Sequence, residues 1–173
     1  MIWSMGRWEP NARGRLEQAA LELFTERGFE QATVTDIARR AGLTQRTFFR
    51  HFADKREVLF WGQGALQELL VGAVASAPDS AAPIDAVAAA LAAAGALLQE
   101  RHGPARQRQA IINAHPELRE RELIKFTKLA ASLVASLRER GVPETTAALL
   151  AQTGTTLFYN AFERMQSLPL LIA

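Results

Sequence analysis

The sequence predicts an all-α fold: an N-terminal three-helix head, then a C-terminal helical body. Three observations carry this. Strand signals are almost absent, since no segment alternates Val, Ile or Thr over several residues between Gly or Pro turns. Apolar residues recur instead at helical spacing from one end to the other. Gly and Pro fall where such segments would stop or start, at Gly28, Gly42, Pro116, Gly141, Pro143 and Pro169. About eight helices result.

Taken in order, Leu16, Ala19, Ala20, Leu23 and Phe24 form one apolar stripe, and Gly28 ends it. A very short helix follows, with Thr35 as N-cap, Asp36 at its positive end and Ile37, Ala38 and Ala41 on its apolar face. Gly42 stops it. Thr44 caps another, to about residue 52. Asp54 caps the next, with Glu57 three residues on, and that helix is expected to run unbroken to about residue 75. Residues 77–83 are a break rich in small residues. Ten of the 16 residues 81–96 are Ala, and with Leu91, Leu97 and Leu98 they suit a closely packed internal helix. Gly103 and Pro104 open a short helix to about 113, Pro116 a long one to 140, and Pro143 the last, to about 166. The domains are expected at 10–54 and 55–173.

Composition narrows the function classes. Of the 173 residues 49% are apolar and 22% charged, so disorder across the chain is excluded. No Cys is present, which removes disulfide scaffolds, thiolate metal sites and thiol nucleophiles. No unbroken apolar run approaches the about 18 residues that span a bilayer, and the N-terminal MIWSMGRWEP has no signal core. A cytoplasmic protein with no membrane partner is expected. There is no Ser/His/Asp order, paired-carboxylate spacing or Gly-rich phosphate loop, so no catalytic residue or cofactor is assigned. His102 and His115 lack metal-ligand spacing, so no metal site is expected.

Charge distribution says more than the net +2. Residues 33–56 hold six positive and two negative charges, net +4, while 1–32 and 57–173 are each net −1. That window is a compact anion-binding surface, and nucleic acid is its first candidate. It reads TVTDIARRAGLTQRTFFRHF through residue 52: two short helices about a tight turn, a helix-turn-helix. On a helical wheel Phe48, Phe49 and Phe52 fall on one side, and Arg46, Thr47, Arg50 and His51 on the other. Gln45 lies on the apolar side but in the first turn, where it projects past the helix end. Arg reads guanine, and Thr meets a thymine methyl or a hydrogen-bonding edge. The bland alternative is a solvated basic face on a helical hairpin.

At these residues the chain resembles the TetR family of transcriptional regulators. The resemblance runs over about 13–59 and rests on AA-x-x-LF-x-x-x-GF, T-x-x-IA-x-x-AG and F-x-x-K-x-x-L in ALELFTERGFEQATVTDIARRAGLTQRTFFRHFADKREVLF. It implies a homodimer on a double-stranded DNA operator, and a variable C-terminal domain that dimerises and binds a small-molecule effector. By position it makes Gln45, Arg46 and Thr47 base-facing, and Thr33 and Lys55 backbone-positioning. Two departures stand out. Phe49 replaces the family's usual Tyr, losing a phenolic phosphate contact, and Arg46 replaces a frequent Gly, adding a reader of a base edge. The candidate DNA-contacting set is Thr33, Thr35, Thr44, Gln45, Arg46, Thr47, Phe49, Arg50, His51 and Lys55.

The body is less explicit. The family's last two helices usually form the dimer interface. Here 117–140 and 143–166 would be that pair, unless the chain is shortened after Pro169, where the end is unusually apolar. Ala147, Ala151 and Gly154 make a small-residue line that suits either a dimer contact or packing within the chain. An apolar effector pocket is expected between the helix from Asp54, the Ala-rich helix and 117–140, where buried charge is scarce. Trp61 is a weak ligand-contact candidate or core; Tyr159, with Asn160, is a pocket group or dimer contact. The resulting expectation is a ligand-responsive repressor. A protein-interaction module with a degenerate head and an all-α enzyme are the alternatives.

Overall fold

A computed structural model describes residues 11–100 and 102–167. The terminus MIWSMGRWEP, Pro169 and the apolar end 170–173 lie outside it, as does the side chain of His102. The fold is all-α, with no strand among the described residues. The helices are α1 (Ala12–Arg27), α2 (Val34–Arg40), α3 (Gln45–His51), α4 (Gly62–Ala75), α5 (Pro83–Glu100), α6 (His102–Asn113), α7 (Pro116–Glu139) and α8 (Glu144–Ser167). The chain divides into a head, Met1–Leu59, and a body, Phe60–Ala173. The division falls five residues beyond the position read from the sequence.

In the head, α1 contributes the expected stripe. Leu16, Ala19, Ala20, Leu23 and Phe24 are all buried, joined by Ile37 and Ala38 of α2 and Phe48 of α3. The helix that was to start at Thr35 starts two residues earlier. Thr33 is its N-cap, and a reciprocal capping box joins Thr33 to Asp36, leaving Thr35 exposed in the first turn. The reason is spacing: only Thr33 has an acidic side chain three residues on to return the bond. After α2 the chain reverses in a Schellman motif. The Leu43 N–H donates to the Ala38 carbonyl at 2.8 Å and that of Gly42 to Arg39 at 3.0 Å. Gly42 has φ +66°, in the left-handed region that suits glycine. Arg15 of α1 donates to the Ala41 carbonyl and so clamps this turn.

The helix expected to run unbroken from Asp54 does not. A 3-10 turn, Glu57–Phe60, comes first, and α4 begins only at Gly62. Asp54 caps that turn, its Oδ1 accepting from the N–H groups of Arg56 at 2.8 Å and Glu57 at 3.1 Å. Gly62 and Gly64 lower helix propensity just where the break falls.

The body packs α4 on α5 and α7, and α8 on α7 and α5. Leu70, Val74, Val87, Ala90, Ala94, Leu133 and Leu137 form its centre. The Ala-rich α5 is internal on one stripe only; Ala88, Ala89, Ala92 and Ala93 are exposed. The small-residue line of α8 serves packing within the chain. Ala147 and Ala151 are fully buried, and a Cβ on Gly154 would stand 3.0 Å from Val87 of α5. Arg140 holds the α4–α5 connection against the end of α7 through the carbonyls of Ala77 and Pro78. The segments Glu57–Ala75 and Pro83–Glu100 reach the length and mean hydropathy, 1.3 and 1.2, of a membrane span. This corrects the reading that nothing approached one, which counted only unbroken apolar runs. A Leu- and Val-rich segment and an Ala-rich one reach that average despite interruptions such as Glu68 and Asp85.

Candidate nucleic-acid interface

The N-terminal end of α3 is fixed by Thr44, whose Oγ1 accepts from the Thr47 N–H at 3.1 Å and lies 2.9 Å from the Thr47 hydroxyl. Phe48 is fully buried and Phe52 nearly so, 5.5 Å apart, and they set the helix's rotation. That rotation leaves Gln45, Arg46, Phe49 and Arg50 exposed and Thr47 half-buried. Gln45 thus projects outward, as its first-turn position implied. Phe49 departs from the wheel. It is 52% exposed, with its ring edge-on to Phe48, because a seven-residue helix has room for one fully buried aromatic against α1 and α2.

His51 is placed differently from expectation. It is half-buried, and its Nε2 is buried without a hydrogen-bond partner. Burial first, then Arg50 and Arg13, pushes its pKa down, so the ring is neutral at pH 7 and adds no charge to the surface.

The cationic surface is smaller than the residue count implied. Arg40 turns back to α1, donating to both Glu26 oxygens at 2.9 and 2.7 Å and to Glu22 at 3.3 Å. The Arg40 fork holds the Glu26 carboxyl below its usual range. Arg39 is well exposed yet lies 3.7 Å from Asp36. Thr33 gives its hydroxyl proton to Asp36 at 2.6 Å, so it acts first as a cap; these bonds hold the Asp36 pKa down.

Lys55 is the clearest correction. The resemblance and its place beside a helix start make it a phosphate ligand. Its Nζ instead donates to the carbonyls of Phe29, Glu30 and Ala32 at 2.7, 3.2 and 3.2 Å, and sits 4.5 Å from the Phe29 ring centre. An ammonium has three protons, and all three are used. Lys55→Met is therefore expected to destabilise the head by about 1–3 kcal/mol. DNA affinity should keep its salt slope, where loss of a phosphate contact would lower it by about 0.9. Urea unfolding and a salt titration of DNA binding, run together, check both.

The arrangement is a rigid scaffold that presents one polar helix edge: Thr44, Gln45, Arg46, Thr47 and Arg50, with Phe49 beside them. Residues 17–60 match the family model for bacterial regulatory proteins, tetR family. The head thus matches the TetR family over about a quarter of the chain. Among TetR relatives, the transcriptional regulator TcmR of Streptomyces glaucescens is 40% identical over 81 residues, 47% of this chain and 36% of TcmR. The mycofactocin biosynthesis regulator MftR of Mycobacterium tuberculosis is 32% identical over 115 residues, 66% of this chain and 58% of MftR. The matches thus span less than two thirds of either relative. The TetR fold extends through the body. SmeT, the repressor of a Stenotrophomonas maltophilia multidrug efflux pump, solved with triclosan, superposes with TM-score 0.60 at 21% identity. That likeness covers 89% of this chain and 81% of SmeT.

The body differs from the expected effector site. The centre between α4, α5 and α7 is filled by the core. A cavity of about 220 Å³ lies at the α4–α7 edge instead, lined by Phe60 of the turn, by Gln63, Gly64, Leu66 and Gln67 of α4, and by four residues of α7 between Lys125 and Leu129. An open apolar groove of about 340 Å³ runs between α5 and α8. Neither is lined by Trp61, which stands at the N-cap position of α4, nor by Tyr159. Tyr159 donates to Glu163 at 2.9 Å and packs edge-on against Phe126; burial and then that bond push its pKa up to about 12. Asn160 is exposed.

Buried charge is also present where it was expected to be scarce. Glu122 of α7 is 1% exposed, accepting from Arg108 at 3.1 Å and Gln109 at 3.1 Å. Arg108 lies 5.3 Å from the Phe60 ring centre. Sequence reading missed this cluster, although a signal existed: Glu122 stands one helical turn from Leu118 on an apolar stripe.

Proposed function

We propose that the protein is a DNA-binding transcriptional regulator, a ligand-responsive repressor that binds a palindromic operator as a homodimer and is released by a small effector. The carrying observation is α3, with its aromatic side buried, its first turn capped and Gln45, Arg46 and Arg50 exposed along one edge. Gln45, Arg46 and Thr47 read base edges from the major groove, while Thr44 and the flanking backbone set the register on phosphates. The setting is the cytoplasm, with no membrane partner. Arg46→Ala should cost about 1–3 kcal/mol on the best site and flatten preference at one base pair per half-site. Binding to a panel of single-base operator variants tests this; unchanged preferences would contradict it.

The dimer reading rests on exposed apolar surface. Of the six large hydrophobic side chains exposed among the described residues, Leu123 and Ile124 lie on α7 and Leu149 and Leu157 on α8. A two-fold operator needs a two-fold protein, and such a face on the last two helices suits a self-complementary contact. Leu149→Glu combined with Leu157→Glu should give a monomer by light scattering at micromolar concentration, with helix content kept. A dimer that persists places the contact elsewhere.

Release follows from population shift. A dimer reads two half-sites when its recognition helices match the DNA repeat, and an effector that favours another arrangement lowers DNA affinity by its differential affinity. The α4–α7 cavity is the proposed effector site. The triclosan complex of SmeT supports a ligand-binding body in this fold.

A further inference from the structure

We propose that Phe49 is a specificity-determining residue whose ring packs on the C5 methyl of a thymine in the major groove, so that each operator half-site carries a thymine there; this rests on the regulator reading above. Among the described residues Phe49 is the one large hydrophobic side chain exposed in the head, and the other five lie in the body. Its place on α3 is specific. At about 100° per residue, Gln45, Phe49, Arg46 and Arg50 fall in that order within one arc of about 140°. All four are exposed. Phe49 thus stands inside the polar edge, between Gln45 and Arg46, and not at its margin with the core. The buried Phe48 lies about 100° away round the helix. Its ring centre is 5.5 Å from that of Phe49 and the two meet edge-on, which leaves about half of the Phe49 side chain bare.

The chemistry of that ring limits what it can meet on DNA. Phe has neither donor nor acceptor, so it holds no phosphate and reads no hydrogen-bonding edge. Of the groups that base pairs show in the major groove, the thymine methyl is the apolar one. An exposed ring gains by covering it, because both surfaces leave water. A polar base edge under the ring would instead lose its water and receive no partner in return. Spacing places the thymine. Side chains three apart on a helix lie about 5–6 Å from each other. Bases along a strand rise about 3.4 Å, so the thymine falls within about two base pairs of the one that Arg46 reads. Thr47, the other residue of α3 with a methyl to offer, lies about 160° round the helix from Phe49. It is half-buried, with its hydroxyl 2.9 Å from that of Thr44.

The test uses the full chain and the DNA site that it enriches from a random double-stranded pool. Each thymine of that site is replaced in turn by deoxyuridine, at symmetric places in both half-sites. The exchange removes the methyl and keeps every hydrogen-bonding atom of the base pair. At one thymine it should weaken binding by the parent about fourfold per half-site, the value of one buried methyl group, and so about 15-fold over two. Phe49→Ala should bind the thymine and deoxyuridine sites equally. Arg46→Ala, which relaxes a different position, should keep the ratio. A site indifferent to every thymine methyl would overturn the proposal. So would a ratio that survives Phe49→Ala, which would place the contact on Thr47. Enrichment of no site by the parent would fault the regulator reading, and this proposal with it.

Discussion

Arg108→Met should destabilise the body by about 3–5 kcal/mol, because it leaves the Glu122 carboxylate buried without its cation. The two partners are not symmetric. The Arg108 side chain is 18% exposed and that of Glu122 only 2%, so a stranded Arg108 retains some water where a stranded Glu122 has little. Glu122→Gln should accordingly cost less, since its amide oxygen still accepts from Arg108 and Gln109 lies within reach of the same group. Urea unfolding at pH 7.5 reads the loss. A variant as stable as the parent at pH 7.5 would show the ion pair to be idle.

Phe48→Ala should cost the head about 3–5 kcal/mol and abolish DNA binding through loss of the fold. The neighbouring Phe49→Ala should cost little stability, since its ring is half exposed, and should act on DNA affinity alone. Helix content after mild heating and DNA retardation separate the two. Comparable destabilisation by both variants would mean that α3 is rotated from the position described.

That pair also shows what the sequence made legible. A wheel of seven residues places Phe48, Phe49 and Phe52 together, and only the packing against α1 and α2 decides which of them is buried. Punctuation was local and therefore readable. Gly42 and Gly141 both end helices with positive φ, and Pro116 opens α7. The N-cap of α2 was misread as Thr35, although the signal for Thr33 was local: Asp36 stands three residues after Thr33 and not after Thr35. The role of Lys55 was not readable, since its acceptors lie 23 to 26 residues upstream and are brought to it only by the fold. The same holds for Arg40, whose partners sit 14 and 18 residues away on α1. A charge count over a window treats every guanidinium and ammonium as available, and here two of the six are structural. In the body, the scarcity of buried charge and the family resemblance suggested an apolar pocket between the Asp54 helix, the Ala-rich helix and 117–140. Small side chains of α5 and α8 pack closely there instead, and the cavity lies at the α4–α7 edge, lined by Gln63, Gln67, Lys125 and Lys128.

Selection of binding sites from a random double-stranded DNA pool by the full chain tests the assignment of α3 most directly, with Arg46→Ala run in parallel. The parent should enrich a two-fold symmetric site whose half-sites repeat at about 10–10.5 base pairs or a multiple of it. Arg46→Ala should enrich the same site with one position relaxed at symmetric places in both halves. Enrichment of no sequence by the parent, or of the same unrelaxed site by both proteins, would contradict the reading of α3 as the recognition helix.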